Sequence, residues 1–347
     1  MEKVGDEDKA LVRREWLLGY TLGAMHDVVV AMPEYLWPER GMTMTLRVVM
    51  PGLLFLTLVP MVYAEDDPQP IRVAAVSFLP VKFDLKANAD QLESAFRQAA
   101  AGGARLTVAP EGALEGYVVN EIIAGQARPE QMNDVAVELN SAVIHRFRRL
   151  ARELKMCLVF GFAERIKGDV FNCAVFIDHR GRICGTYHKM QLAEGYHPTW
   201  WYNRLGRRSR AFDTPLGRCG ILICNDRWNP RLAEIPVLDG AEFLVIPSFG
   251  SRSAAQDQAV LSRGLENGVP VIEANVGVTL IVDDGRITAV DRQETGITFG
   301  SISVQRTSKR NLCKRDAVES AFLKWRQTEM ARRFKQTLKR LSDRKEK

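Results

Sequence analysis

The stretch Gly217-Arg218-Cys219-Gly220-Ile221-Leu222-Ile223-Cys224-Asn225-Asp226-Arg227-Trp228 decides how this chain is read. It is a short apolar strand that ends on a cysteine where the chain is about to turn. Two other segments end in the same manner. Leu106-Thr107-Val108-Ala109 runs into Pro110-Glu111, and Arg182-Ile183-Cys184-Gly185-Thr186-Tyr187 runs into His188-Lys189. A thiol, a carboxylate and an ammonium therefore stand at three strand ends, where α/β folds tend to gather reactive groups.

Around these ends the chain alternates strand and helix. Ile71 to Val76 is β-rich, and Leu85, Ala89, Leu92 and Phe96 predict a helix over 85–100. Val135, Leu139, Val143, Phe147 and Leu150 predict another over 133–154. Strands are expected at 157–162, 171–178 and 182–187, with a turn at Asp178-His179-Arg180-Gly181. Beyond the cysteine come a helix near 230–239, a strand at 242–246, a helix near 254–267 and strands at 269–274, 277–283, 286–290 and 299–305. Paired strands between helices imply a layered α/β body with mixed sheets, one domain over 71–305.

The ends of the chain differ from this body. Residues 47–64 form an apolar stretch after Arg47, closing on Val62-Tyr63-Ala64. That is how a secretory signal is built. Residues 42–64 are thus expected to be a signal peptide or membrane-targeting segment, with translation starting at Met42 or Met44 and residues 1–41 an artefact of start choice. This reading places the protein in the periplasm or outside the cell. The other reading keeps 1–64 as a real extension with a buried or membrane-associated apolar segment, and a cytoplasmic protein. At the far end, 306–347 is a basic tail. Val318, Phe322, Trp325, Met330, Phe334, Leu338 and Leu341 mark an amphipathic helix over 314–342. Its apolar stripe is expected to lie on the body, on a second subunit or on an anionic membrane surface.

Bulk properties exclude several classes. With 347 residues, 46% of them hydrophobic, the chain can bury a large core. The net charge of +6 owes much to residues 321–347, where ten Lys or Arg meet three acids. No zinc-finger spacing or RNA-binding strand motif accompanies it, so no nucleic-acid partner is expected. The six cysteines form no CxxC pair, and most sit in apolar strands where a thiol behaves as a small hydrophobe. Only Cys224 sits where a reactive thiol belongs.

A cysteine nucleophile needs a base, which Glu111 supplies by taking the thiol proton and returning it to a leaving amine. Lys189, with a backbone N–H near Asn225, would steady the oxygen of a tetrahedral intermediate. This set can hydrolyse a carbon–nitrogen bond with no metal, and no metal or cofactor is expected.

The same residues carry a family resemblance. Val108-Ala109-Pro110-Glu111 with Gly116-Tyr117, then Gly185-Thr186-Tyr187-His188-Lys189-Met190-Gln191-Leu192, then Gly217 through Asp226 followed by Pro230, resemble three blocks of the nitrilase, or carbon–nitrogen hydrolase, superfamily. Arg263 to Gly268 and Ala274-Asn275 match a fourth. The resemblance covers roughly 71–305. It implies an α-β-β-α sandwich, four layers of helix and sheet with mixed sheets, that commonly pairs into a dimer. It also implies Glu111 as general base, Lys189 as intermediate-stabilising lysine, Cys224 as nucleophile and Glu194 as second glutamate. Asp226 is expected to support the turn. Tyr117, Asn225 and Trp228 are the expected substrate-binding residues.

The implied activity is hydrolysis of a small amide or N-carbamoyl compound, by a homodimer or larger homo-oligomer. The alternatives are nitrile hydrolysis by the same triad, or a non-catalytic binding protein on the same scaffold. Specificity is expected in 112–130 and 193–210. The latter carries Trp200, Trp201 and Tyr202 with Arg204, Arg207, Arg208 and Arg210, either shaping a pocket for an anionic substrate or forming a surface or subunit contact.

Overall fold

The computed structural model describes residues 69–305 and 309–345. The expected extension (1–41) and signal or membrane-targeting segment (42–64) lie outside the described residues. In chain order, β1 (Ile71–Ser77), α1 (Leu85–Ala101) and β2 (Leu106–Val108) come first. The short helices α2 (Val119–Ile123) and α3 (Met132–Val135) precede α4 (Ala142–Leu154). Next come β3 (Cys157–Ile166), β4 (Asp169–Ile177), β5 (Ile183–His188), β6 (Phe212–Thr214) and β7 (Gly217–Ile221). The second half holds α5 (Pro230–Leu238), β8 (Phe243–Ser248), α6 (Ala254–Asn267), β9 (Val271–Asn275), β10 (Val278–Asp283), β11 (Arg286–Asp291) and β12 (Gly296–Ile302). The helix α7 (Leu312–Lys345) closes the chain.

Two six-stranded mixed sheets result, ordered β12-β1-β2-β3-β4-β5 and β11-β10-β9-β8-β7-β6. Each has a parallel trio at its centre, β1-β2-β3 in one and β7-β8-β9 in the other. Parallel strands need both faces covered. Alternation within each strand supplies both: Val73 and Ala75 of β1 join the core between the sheets, whereas Ala74 and Val76 join the core under α1 and α4. On the second sheet α5 and α6 give the outer layer, with Leu232, Ile235 and Val260 buried. The expected α-β-β-α sandwich is the fold of this chain.

The helix expected over 133–154 is broken. α3 ends at Val135, and Ala136 is extended. Val137 then bridges to Glu164 beside β3, donating to Ala163 O and accepting from Arg165 N, both at 2.9 Å. The cause is the shortness of β2. On the β3 side it pairs only with Cys157, Leu158 and Val159, so the far end of the ten-residue β3 has open backbone groups that Val137 satisfies. α4 restarts after Ser141.

The Asp178 turn forms as expected, its carboxylate accepting from the backbone N–H of Arg180 and Arg182. Just past it the β4–β5 ladder carries a bulge. Ile177 faces Ile183 and Phe176 faces Gly185, leaving Cys184 over.

The tail helix lies on the body. Phe322 is fully buried in the cluster that also holds Val73, Ala75 and Leu232, and Met330 is buried among Tyr117, Leu192, Trp201 and Tyr202. Arg210 forms a two-pronged pair with Glu319. No helix among the described residues is long and apolar enough to cross a membrane.

Candidate active site

The three strand ends meet between the sheets. Glu111 follows β2 and is fully buried. Its Oε1 accepts from Lys189 Nζ and from Asn172 Nδ2, both at 2.6 Å, and its Oε2 accepts from the backbone N–H of Phe249 at 3.1 Å. Three donors on one buried carboxylate are what a buried charge needs.

Lys189 is the residue after β5, with its backbone N–H on Asn172 O at 2.8 Å. Burial alone would push its ammonium down. Glu111, Cys224, Glu194 and Asp226 together reverse that, and it stays above the ordinary lysine range.

Cys224 opens a single 3₁₀ turn, Cys224–Trp228, and holds a left-handed backbone with φ 45°. Such a conformation in a non-glycine residue marks a constrained position. Its Sγ donates to Phe249 O at 3.7 Å. Phe249 therefore touches acid and thiol at once, through its N–H and its carbonyl. Gly250 leaves room beside the sulfur, since a Cβ there would lie 3.2 Å from Sγ. Burial, then the nearby Glu111 carboxylate, push the thiol up to about 11.

Asp226 fixes the cysteine turn against the lysine turn. It accepts from Ile223 N at 3.0 Å, from the Tyr187 hydroxyl at 2.9 Å and from Gln191 N at 2.9 Å. Burial raises its carboxyl to about 7. On the far side, Arg227 is buried on Glu273 at 2.6 Å and on Ser248 at 2.8 Å, bracing the same turn against β8 and β9.

The other expected residues fall in different places. Glu194 is buried, accepts from Trp201 Nε1 at 3.1 Å, and is raised by burial against the pull of Lys189. Tyr117 stacks on Phe249 with ring centroids 4.9 Å apart. Asn225 is occupied with the lysine turn, its Nδ2 donating to Gln191 O at 3.1 Å. Trp228 is 43% exposed, its ring against the Arg227 guanidinium, and is not drawn in among Glu111, Lys189 and Cys224. In the 193–210 segment the aromatics turn inward and the arginines do not. Tyr202 donates to Glu115, whereas Arg204 pairs with Asp169 and Arg210 with Glu319.

Three participants escaped sequence reasoning. Asn172 is a polar residue inside an apolar strand, which was a legible signal. Glu115 lies four residues past Glu111. It is buried, accepts from Ala163 N at 3.0 Å, and burial raises it to about 7. Phe249, at the end of β8, acts through its backbone and leaves no mark in sequence.

A thiol, an acid with three donors and a buried ammonium are the groups that a nucleophile, a base and an oxyanion stabiliser would require. The chain belongs to the carbon–nitrogen hydrolase family, whose model matches residues 72–310. Among curated relatives, the N-carbamoylputrescine amidase of Arabidopsis thaliana is 30% identical over 210 residues, 59% of this chain and 67% of that protein. The bifunctional nitrilase/nitrile hydratase NIT4B of Lupinus angustifolius is 26% identical over 214 residues, which span 59% of this chain and 61% of its own length. Among solved structures, an amidase from Nesterenkonia sp. shares the fold with a TM-score of 0.58 at 22% identity, covering 71% of this chain and 95% of that one.

Proposed function

We propose that this protein hydrolyses the carbon–nitrogen bond of a small amide or N-carbamoyl compound through a thioester on Cys224. The observation that carries the reading is the buried linkage of the three groups: Lys189 on Glu111 at 2.6 Å, and Phe249 bonded to both Glu111 and the Cys224 thiol.

Cys224 Sγ attacks the carbonyl carbon as its proton passes to Glu111. Lys189 and a backbone N–H at the Cys224 turn hold the negative oxygen. The tetrahedral intermediate collapses, the carbon–nitrogen bond breaks, and the proton on Glu111 leaves with ammonia or an amine. Glu111, with Glu194 as second carboxylate, then takes a proton from water as the water oxygen attacks the thioester. The acid departs and the sulfur regains its proton. An N-carbamoyl compound follows the same path, and its carbamate product loses carbon dioxide. Tyr117 on Phe249 borders the substrate, and a small, flat carboxamide suits a site closed by aromatic rings. The similarity to N-carbamoylputrescine amidase supports the carbamoyl branch, and that to NIT4B keeps nitriles in the test.

The test is a panel of amides, N-carbamoyl compounds and nitriles scored for ammonia release and for intact mass. Wild type is expected to turn over members of the first two classes and to carry an acyl-sized adduct, with both lost in Cys224→Ala. A folded wild type with neither turnover nor adduct across the panel would favour a binding protein on this scaffold.

A further inference from the structure

The first sheet carries a second cluster of reactive side chains, on the face turned away from Glu111. β3, β4 and β5 are consecutive neighbours there. Cys173 stands opposite His188 across one ladder and opposite Phe162 across the other, and Glu164 is two residues past Phe162 on the same face. One oxygen of Glu164, the sulfur of Cys173 and a ring nitrogen of His188 all lie within 4.8 Å of one another. Nε2 of His188 is 2.5 Å from Oε2 of Glu164. Glu164 and Cys173 are buried, while the His188 side chain keeps 27% of its surface.

We propose that Glu164, Cys173 and His188 form a binding site for one divalent transition-metal ion of the zinc type. The donor set is the first argument. Thiolate, imidazole and carboxylate are the ligands zinc uses, whereas magnesium and calcium take oxygen alone. Size is the second. Zinc–ligand bonds of about 2.0–2.3 Å put tetrahedral donors roughly 3.5 Å apart, which side-chain adjustment reaches from the present spacing. Charge is the third. A dication, a carboxylate, a thiolate and a neutral imidazole sum to zero, so the loaded cluster is neutral where a charge would be costly. The thiol gives up its proton to solvent as the metal enters.

Two further features favour occupancy. Phe171 stacks on the His188 ring with centroids 4.3 Å apart, which fixes the ring plane. The His188 side chain keeps 27% of its surface, so an ion and a water as fourth ligand would reach the cluster from that side. The ion would join three strands without touching the reaction. His188 points to this face and Lys189, the next residue, to the other, so the metal would anchor the strand that delivers the lysine.

The test uses the full chain, stripped with a chelator and titrated with zinc chloride against a chromophoric competitor. One zinc per chain is expected, and His188→Ala is expected to weaken it by at least about tenfold. Because Cys173→Ser sits in a buried position and risks misfolding, cobalt(II) is also added to the unaltered protein, where a thiolate-to-cobalt charge-transfer band is expected. That band should persist in Cys224→Ala and in Cys313→Ser. No band in the wild type, equal zinc affinity in wild type and His188→Ala, or a band lost with Cys224 or Cys313 would each overturn the proposal. Metal binding is read without turnover, so this result is independent of the hydrolase reading.

Discussion

In the proposed reaction Cys224 starts each cycle as a neutral thiol, because burial and the Glu111 carboxylate together push it up to about 11. This makes Glu111→Gln an informative variant. Removing the negative charge takes away a cause of the raised value, so the thiol should titrate lower than in the wild type. Its alkylation by iodoacetamide at a fixed mildly alkaline pH should therefore quicken. Turnover should fall about 10²–10⁴-fold, the range for a lost general base. An alkylation midpoint that stays or rises would sink the assigned roles. Glu111, Lys189 and Cys224 were legible because each ends an apolar strand, where a polar residue is conspicuous. Asn172 is conspicuous in the same way, but its part in the site, like that of Glu115, comes from strands and loops far apart in sequence meeting in space.

Among the elements, α7 has the most bearing on the site. Its backbone and side chains hold the segment that carries Glu194. Thr337 Oγ1 donates to Glu194 O at 2.8 Å, and Tyr196 N donates to Met330 O at 3.4 Å. Gly195 allows this approach. It has φ 93°, and a Cβ there would stand 2.2 Å from Phe334 N. Gly195→Ala should cost about 1–3 kcal/mol by urea unfolding and should also lower kcat/KM, because the loop must leave α7 and carry Glu194 with it. Phe322→Ala is the matched comparison. It should cost about 3–5 kcal/mol through the cavity it opens, with kcat close to wild type below the unfolding range. Equal kinetic losses in both would mean that α7 acts through general stability alone. The helix itself was readable from its apolar spacing, and its resting place was not. The break between α3 and α4 was hidden for a related reason: helical spacing continues through Leu139, but open backbone on β3 competes for Val137.

At the scale of the whole molecule, the acid and the ammonium come from one sheet and the thiol from the other. They are joined by Phe249 and by the bond from Tyr187 to Asp226. The site should therefore exist only while the two sheets stay packed. Urea titration followed by turnover and by far-ultraviolet circular dichroism should give coincident curves. Activity lost well before the dichroism would show that the sheets part first. The family resemblance adds an expectation of a homodimer, which sedimentation velocity would report as twice the chain mass. The sandwich was legible from strand and helix order, while the pairing of its sheets through these bonds was not.

The bulge at Cys184 has a consequence of a different kind. A strand read against its neighbour has a reading frame of two, inward or outward, and β5 ends on His188 with Lys189 next, adjacent basic residues that want opposite frames. Cys184 is a silent letter in that frame. Deleting it should leave Lys189 facing the acid, because Ile183 and Gly185 then follow one another along an unbroken ladder. Inserting one residue between Thr186 and Tyr187 should bring His188 to the place opposite Asn172, an imidazole where the ammonium belongs, with no functional side chain removed.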